Sequence, residues 1–374
     1  LNDQLFHKMI HPLYEYGKDG YVFFKQKQNV QFGDYHIAFA EMLAEIQDYC
    51  QARDVPFLFV LNPEKAAVYP DKLRDGIHYD RSWVQQFEQK LDELGVNYID
   101  NTQLLQDRRA EGEQVFNKVY NAGHWNDLGA FYGVNNILES LSGFFPSIQP
   151  NELSDFAVTE TLQETLLSSQ FPIHEYEPTF GRLCELEVKT EEYDAEVARS
   201  SQHRGFGYFV NPENVAAGAP KTLVFQGSYM NEMGFKFLQT GLGEYIYVHN
   251  YENLMDFDYY FNIFQPECVV VEVAEYTVNS GYFNAERVEN FSLNPVLTLD
   301  DAARQADKQS LAPQIAEGER LSTLTVSLPE GTRYAYLLSE GRTFDLIEGE
   351  QGWQASVEKE NFSADYTVVA VGAD

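Results

Sequence analysis

A histidine and a serine stand in turns that directly follow apolar, strand-like segments. His124 lies between a β-like segment at 114–120 and a helical pattern at 127–142. Ser228 lies in a small-residue turn after a predicted strand at 221–225. In parallel α/β sheets the functional residues collect at the carboxyl ends of strands. An imidazole and a hydroxyl meeting there could carry out acid–base and nucleophilic chemistry.

Both residues also have an ordinary structural interpretation. In that interpretation Ser228 is a turn residue and His124 is the start of a helix. A histidine is more often a satisfied structural residue than a catalyst. The two interpretations differ in geometry, because catalysis requires His124 Nε2 and Ser228 Oγ within about 2.6–3.2 Å of each other, at the same rim of one sheet.

The elements that would position these residues alternate between strand and helix. The predicted strands are 21–24, 57–61, 96–100, 114–120, 221–225, 245–248 and 268–273, and the predicted helices are 35–52, 81–94, 101–110, 127–142, 231–240 and 257–264. Short connections between alternating elements predict an α/β fold, with a mostly parallel sheet and helices on both of its faces.

Residues 147–219 depart from this alternation. Pro, Glu and Ser are frequent, and the alternating segment Leu183–Val188 predicts a β-ribbon. We interpret the region as a β-rich insertion that could cover the site. Within it, Arg204–Phe209 is a basic and aromatic cluster, for which a packed hairpin and a role in the site are both open.

The end of the chain has a second pattern. Residues 300–320 are polar and alanine-rich, typical of a helix or linker. Strand patterns with glycine-containing turns follow at 321–328, 333–338, 343–347, 353–357 and 366–371. We therefore expect an α/β domain over 1–300, with the insertion at 147–219, and a linker with a small β-rich unit over 301–374.

Composition restricts the possible partners. The 374 residues carry 58 Asp and Glu against 26 Lys and Arg, a formal net charge of -32, with 44% hydrophobic residues. Such a charge argues against binding to nucleic acid or an anionic membrane surface and suits a secreted or cell-surface protein. No apolar run could span a bilayer and no signal peptide is present, but since the chain begins at Leu1 we expect that an export signal has been removed.

Neither a metal nor a cofactor is expected. The eight histidines lack ligand spacing and there is no phosphate loop. The three cysteines are widely separated, and Cys50 and Cys268 lie in apolar elements, which predicts buried thiols.

Five short motifs occur in the order and at the spacing of one known family. They are Gly17-Lys18-Asp19-Gly20-Tyr21-Val22-Phe23, Asn62-Pro63-Glu64-Lys65 with Tyr69-Pro70, His124-Trp125-Asn126 with Gly129-Ala130, Gly227-Ser228-Tyr229, and Pro266-Glu267 leading to Glu275. Over residues 16–280 the chain resembles the SGNH-hydrolase-like family that includes the alginate O-acetyltransferases of bacterial cell envelopes. The resemblance implies an SGNH-like form of the α/β fold.

The resemblance also implies acyl chemistry on a carbohydrate. Ser228 would be the nucleophile, His124 its base, and a backbone N–H near Ser228 part of an oxyanion hole. Asn121 has the spacing at which typical SGNH hydrolases carry the aspartate of their triad. The residues implied in substrate or oxyanion binding are Gly227, Tyr229, Trp125, Lys65, Glu275 and Tyr276.

Four positions depart from the family pattern, one of them Gln226, which stands where the family has glycine. Ala122 and Gly227 stand where the family has aspartates, and Tyr276 stands where it commonly has arginine. Asn121 can orient an imidazole but cannot stabilise its cation, and in serine hydrolases that exchange costs roughly four orders of magnitude in turnover.

Two functions therefore remain open from the sequence. One is an O-acetyltransferase or acetylesterase with a Ser228–His124 site, and the other is a catalytically weakened relative that binds cell-envelope glycan without turnover. The partners implied are a carbohydrate polymer or acetylated sugar and a membrane acetyl-donor protein, without nucleic acid and without direct membrane insertion. The location implied is extracytoplasmic.

Overall fold

The structure is a computed structural model that describes residues 9, 11–25, 30–167, 170–298, 311 and 313–372. Its strands are β1 Tyr14–Tyr16, β2 Val22–Phe24, β3 Phe57–Asn62, β4 Tyr98–Asp100, β5 Phe156–Thr165, β6 Pro172–Arg182, β7 Glu187–Val188, β8 Phe206–Val210, β9 Lys221–Gln226, β10 Glu244–His249, β11 Cys268–Ala274, β12 Gln314–Glu317, β13 Leu321–Val326, β14 Thr332–Ser339, β15 Arg342–Gly349, β16 Gly352–Glu358 and β17 Thr367–Gly372.

Its helices are α1 Asp34–Gln51, α2 Lys65–Val68, α3 Ser82–Leu94, α4 Thr102–Ala110, α5 Asp127–Ser142, α6 Thr190–Asp194, α7 Pro212–Ala216, α8 Phe235–Gly241, α9 Phe257–Phe264 and α10 Ala285–Glu289. A π-helical segment, Met230–Gly234, leads directly into α8. Within the described ranges, no helix is both long and apolar enough to cross a membrane.

Seven strands form the main sheet, in the order β4-β3-β11-β9-β10-β8-β7. The five strands β4, β3, β11, β9 and β10 run parallel to one another. At one edge, β8 is antiparallel to β10, and β7 is antiparallel to β8. Both β3 and β11 are buried along their whole length, as in a sheet covered on both faces. One apolar core packs α1, α3 and α9 on one face, and a second packs α5 and α8 on the other. The predicted mostly parallel α/β sheet is confirmed.

The central strands bring several chain segments to one rim. In the sheet, β3, β11 and β9 are neighbours and run in the same direction. The residues after Asn62, Ala274 and Gln226 therefore leave the sheet at the same edge. This is the edge at which ligands of open α/β sheets bind.

The prediction of a strand at 114–120 is wrong. The backbone N–H groups of Lys118, Val119 and Tyr120 donate to the carboxylate of Glu175 at 2.5, 2.8 and 2.6 Å. Because a side chain satisfies these groups, they form no ladder with another strand. The apolar pattern that predicted a strand has another cause, since it includes two fully buried core residues, Val115 and Phe116.

The region 147–219 contains more than a covering ribbon. Its longest feature is the two-stranded hairpin of β5 and β6. In addition, β7 and β8 extend the main sheet, with β8 antiparallel to β10. Of the predicted ribbon at 183–188 only Glu187–Val188 is a strand, and most of the cluster at 204–209 is part of β8.

The chain ends in the predicted β-rich unit, an antiparallel sheet in the order β12-β13-β16-β15-β14-β17 with a core of its own. It is joined to the α/β part by Asp345, which accepts a hydrogen bond from the Tyr49 hydroxyl at 2.6 Å. Of the predicted helix or linker at 300–320, residues 314–317 form strand β12, and residues 300–310 and 312 lie outside the described residues. The division of the chain at residue 300 stays a prediction.

Candidate active site

His124 and Ser228 lie next to each other at the carboxyl rim of the main sheet. The distance from His124 Nε2 to Ser228 Oγ is 2.8 Å, inside the range expected from the sequence. Ser228 follows β9 at the start of the helical run that leads into α8, and His124 lies just before α5. His124 is 8% exposed and Ser228 is half-buried. The hydroxyl is therefore both bonded to the imidazole and within reach of a ligand.

Asn121 fixes the orientation of the imidazole. Its Oδ1 accepts hydrogen bonds from the backbone N–H groups of Gly123 and His124, at 3.3 and 3.1 Å. The same oxygen lies 3.3 Å from His124 Nδ1. Since backbone N–H groups only donate, the atom that faces them is an acceptor, and Nδ1 must carry the proton to bond to it. This leaves Nε2 as the acceptor for the Ser228 hydroxyl, which is the tautomer that a general base needs.

Trp125 and Tyr229 hold the two loops together. The indole N–H of Trp125 donates to the carbonyl oxygen of Tyr229 at 3.1 Å, and the Tyr229 hydroxyl lies 2.7 Å from the carbonyl oxygen of Gly123. Each bond joins the neighbour of one reacting residue to the neighbour of the other. Both side chains are fully buried. A role for either side chain in binding substrate or the oxyanion stays a prediction.

A cavity of about 420 Å³ opens beside His124. Aromatic rings of Phe23, Phe24, Tyr276 and Tyr282 contribute to its wall. The loop before His124 packs tightly against this wall, because a Cβ atom at Gly123 would lie 1.9 Å from the Phe24 ring. A glycine is therefore required there for the histidine loop to approach the ring.

Tyr276 is a second polar partner of the serine. Its hydroxyl lies 3.4 Å from Ser228 Oγ. Burial raises the pKa of Tyr276 above its ordinary value, and the bond to Ser228 opposes that rise. The phenol is therefore protonated at neutral pH and can donate a hydrogen bond to an atom beside Ser228.

The predicted role of Gly227 in binding substrate or the oxyanion stays a prediction. Its backbone N–H donates to Glu272 Oε2 at 2.7 Å and points into the protein. The N–H of Ser228 is in a different position, since it belongs to the first turn of a helical run. Such amides have no acceptor within their own helix and favour negative charge.

Lys65 and Glu275 are both buried and hold backbone in place. Lys65 Nζ donates to the carbonyl oxygens of Val22 and Lys118 at 2.7 and 3.0 Å, although part of the side chain also borders the cavity. The two Glu275 oxygens accept from the N–H of Glu64 and from Arg81 Nε, at 2.7 and 2.8 Å. A role for either residue in binding substrate stays a prediction: Glu275 is fully buried, whereas Lys65 borders the cavity.

Two carboxylates that organise the site were not predicted. Glu175 binds the loop before His124, and its role depends on a hairpin that sequence patterns did not reveal. Glu272 binds the turn before Ser228, and a charged residue inside the apolar strand at 268–273 was the signal for it. Asp127, near His124 in sequence, pairs with Lys236 at 2.7 Å.

Comparison with known proteins agrees with this architecture. A family model described as "SGNH hydrolase-like domain, acetyltransferase AlgX" matches residues 15–218, more than half of the chain. The match includes His124 and ends before Ser228. A search of curated proteins finds no match.

Two solved structures of one protein share the fold at low sequence identity. Bacillus cereus PatB1 is 15% identical with a TM-score of 0.52, over 70% of this chain and 95% of its own. PatB1 with a sulfonyl adduct is 14% identical with a TM-score of 0.53, over 74% and 99%. Pseudomonas aeruginosa AlgX is 15% identical with a TM-score of 0.48, over 96% and 95%. On the family match, the chain belongs to the SGNH hydrolase-like family of the acetyltransferase AlgX.

Proposed function

We propose that this protein transfers an acetyl group to or from a hydroxyl of an extracellular or cell-surface carbohydrate. Ser228 is the nucleophile and His124 is the base. The observation that carries the proposal is the 2.8 Å contact between His124 Nε2 and Ser228 Oγ at the carboxyl rim of the sheet. Membership of the AlgX family supports the same chemistry.

The first half of the reaction acetylates the serine. Ser228 Oγ attacks the carbonyl carbon of the acetyl donor while its proton moves to His124 Nε2. The oxyanion that forms receives hydrogen bonds from the Ser228 N–H and the Tyr276 hydroxyl. When the intermediate collapses, the bond to the donor oxygen breaks and His124 returns the proton to that oxygen.

The second half releases the acetyl group. An acceptor hydroxyl attacks the carbonyl carbon of the acetyl-serine, and His124 Nε2 removes its proton. When this intermediate collapses, the bond to Ser228 Oγ breaks and His124 returns the proton to Oγ, which restores the free serine. A sugar hydroxyl as acceptor gives transfer, and water gives hydrolysis. Asn121 keeps the proton on Nδ1 throughout, so that Nε2 is available in both halves.

The cavity beside His124 supports a carbohydrate substrate. Its volume of about 420 Å³ and its wall of Phe23, Phe24, Tyr276 and Tyr282 suit a sugar ring with an attached acetyl group. The net charge of -32 favours an uncharged substrate over a polyanion. The proposed location is extracytoplasmic, and a membrane acetyl-donor protein would supply the acetyl group.

Hydrolysis of p-nitrophenyl acetate tests the proposal. The wild-type protein should release p-nitrophenol well above the rate of Ser228→Ala. A phenylmethylsulfonyl fluoride adduct found on Ser228 by mass spectrometry, and absent from His124→Ala, would show independently that the imidazole activates the hydroxyl. Equal rates for wild type and Ser228→Ala, with no adduct, would remove the nucleophile assignment.

The second candidate is a glycan-binding protein without turnover. It is favoured by Asn121, which offers the imidazole an amide oxygen where an active triad has a carboxylate. A protein of this kind would bind acetylated oligosaccharide with equal affinity in the wild-type and Ser228→Ala forms and release no acetate. Acetate release from the oligosaccharide therefore distinguishes the two candidates.

A further inference from the structure

Glu272 is a carboxylate in the middle of the sheet core. It lies in β11, where every other residue is apolar, and none of its surface is exposed. Burying an ionised carboxylate costs a large free energy unless hydrogen bonds compensate it. Burial raises the pKa of Glu272 to about 7, while its contacts with Gly227 and Asn62 oppose the rise.

Both oxygens of this carboxylate receive hydrogen bonds from the neighbouring strands. Glu272 Oε1 accepts from Asn62 Nδ2, at the end of β3, at 2.7 Å. Glu272 Oε2 accepts from the N–H of Gly227, after β9, at 2.7 Å. Glu272 thus links the ends of two strands, and one of its bonds is made one residue before Ser228.

A series of amides leads from the edge of the protein to Glu272. Asn136 Nδ2 donates to Asn101 Oδ1, and Asn101 Nδ2 donates to Asn62 Oδ1, both at 2.8 Å. Asn136 is half-buried, whereas Asn101 and Asn62 are fully buried. Each amide donates towards Glu272, so the series as a whole stabilises the ionised carboxylate.

The carboxylate also lies beside Gly227, together with the Asn250 amide. A Cβ atom on Gly227 would lie 3.4 Å from Glu272 Oε2. The family that the sequence resembles has an aspartate at this position, and this chain has none. A carboxylate is present there nevertheless, supplied by the adjacent strand.

We propose that Glu272 is a positioning residue, whose carboxylate fixes the Gly227 amide and thereby directs the Ser228 hydroxyl at His124. This inference rests on the proposed function. Glu272 in β11 supplies the carboxylate that the turn before Ser228 lacks. Loss of the charge should therefore change the reactivity of Ser228 more than the binding of substrate.

Glu272→Gln is the main test, since it removes the charge and retains the shape. The glutamine can still accept from Gly227 if the amides of Asn62, Asn101 and Asn136 reverse together, so we expect it to fold. We expect kcat and the rate of sulfonylation of Ser228 to fall by about ten-fold, with KM little changed, because small errors in the placement of reacting groups cost this much or more.

Asp345→Asn is the matched control. Asp345 is 2% exposed and binds Tyr49 and Arg53, which lie at the opposite end of the sheet from Ser228. It should lose thermal stability without losing kcat. A Glu272→Gln protein with wild-type kcat and sulfonylation rate would overturn the proposal, as would a loss of kcat no greater than that of Asp345→Asn at an equal melting temperature.

Asn62→Ala is the second variant, for the case in which Glu272→Gln does not fold. It leaves Glu272 with the Gly227 contact alone, and we expect a loss in kcat of about three-fold. Wild-type kcat in a folded Asn62→Ala protein would also overturn the proposal.

If wild type and Ser228→Ala react equally, the proposed function fails and this inference fails with it. If they differ and Glu272→Gln matches wild type, only this inference fails.

Discussion

Asn121 Oδ1 and His124 Nδ1 lie 3.3 Å apart, in the arrangement that a triad aspartate and histidine adopt in serine hydrolases. The oxygen is an amide oxygen here. It can hold the imidazole in place and fix its tautomer, but it cannot compensate the positive charge that His124 would gain in the proposed reaction by taking the serine proton. The geometry of a triad is present with one charge missing.

Asn121→Asp should therefore raise the rate of acetyl transfer. The carboxylate keeps an oxygen for the two backbone N–H groups that Asn121 now binds, so the loop need not change. Because the aspartate stabilises the imidazolium, we expect kcat for p-nitrophenyl acetate to rise by about ten-fold or more. The same change in a Ser228→Ala background should give no gain. An Asn121→Asp protein that is folded and no faster than wild type would show that His124 takes up no proton in the slow step.

Tyr276→Phe should lower kcat. Its hydroxyl is 3.4 Å from Ser228 Oγ, and we assign it as a donor to the oxyanion. Removing one oxyanion donor costs roughly 10²–10³-fold in turnover at an ideal distance, and we expect about ten-fold for this longer contact. Tyr282→Phe, in the same cavity wall, should alter KM more than kcat. The reverse pattern would make Tyr276 a substrate-binding residue and leave the Ser228 N–H as the donor.

Glu175→Ala should release the loop that carries His124. The carboxylate binds three consecutive N–H groups, at Lys118, Val119 and Tyr120. Without it these groups lose their acceptor, and we expect their amide hydrogens to exchange faster and kcat to fall by about ten-fold. The measurement is hydrogen exchange of the peptide that covers 118–120. Glu164→Ala, an exposed residue of the same hairpin, is the control, and equal exchange in the two variants would contradict the assignment.

The fold was predictable where local pattern decides structure. The helix at 257–264 and the strand at 268–273 were predicted almost to the residue, because their apolar spacing is set within the segment itself. The segment 114–120 was not, because its backbone partner is Glu175, which a hairpin brings from far along the chain. No local pattern contains that information.

The site was predictable only where local motifs identify its residues. His124 and Ser228 follow from their motifs, and their meeting follows from the sheet. The family resemblance implied that Trp125 binds substrate or the oxyanion. The indole is buried against Gly133 in α5, the helix that begins just after it, where a Cβ atom would lie 2.2 Å from the ring. Whether an aromatic side chain points into a core or a cleft depends on such a neighbour.

Lys65→Met should change how the stability of the protein depends on pH. Burial lowers the pKa of Lys65 from its ordinary 10.5 to about 7, which the charge of Glu175 partly opposes. Between pH 7 and 10.5 the unfolded chain therefore binds more protons at this residue than the folded chain. The free energy of unfolding must rise with pH across that window, by up to about 1 kcal/mol per pH unit.

The methionine variant lacks this contribution. The free energy of unfolding of wild type minus that of Lys65→Met should therefore decrease as the pH falls from 10 to 7. Urea unfolding at several pH values measures it. Lys72→Met is the control, because a hydrogen bond to Asp19 raises the pKa of Lys72 and it adds no rise in this window. A constant difference would mean that Lys65 keeps its proton in the core. An increase in KM of Lys65→Met, with its stability unchanged, would support the predicted role of Lys65 in binding substrate.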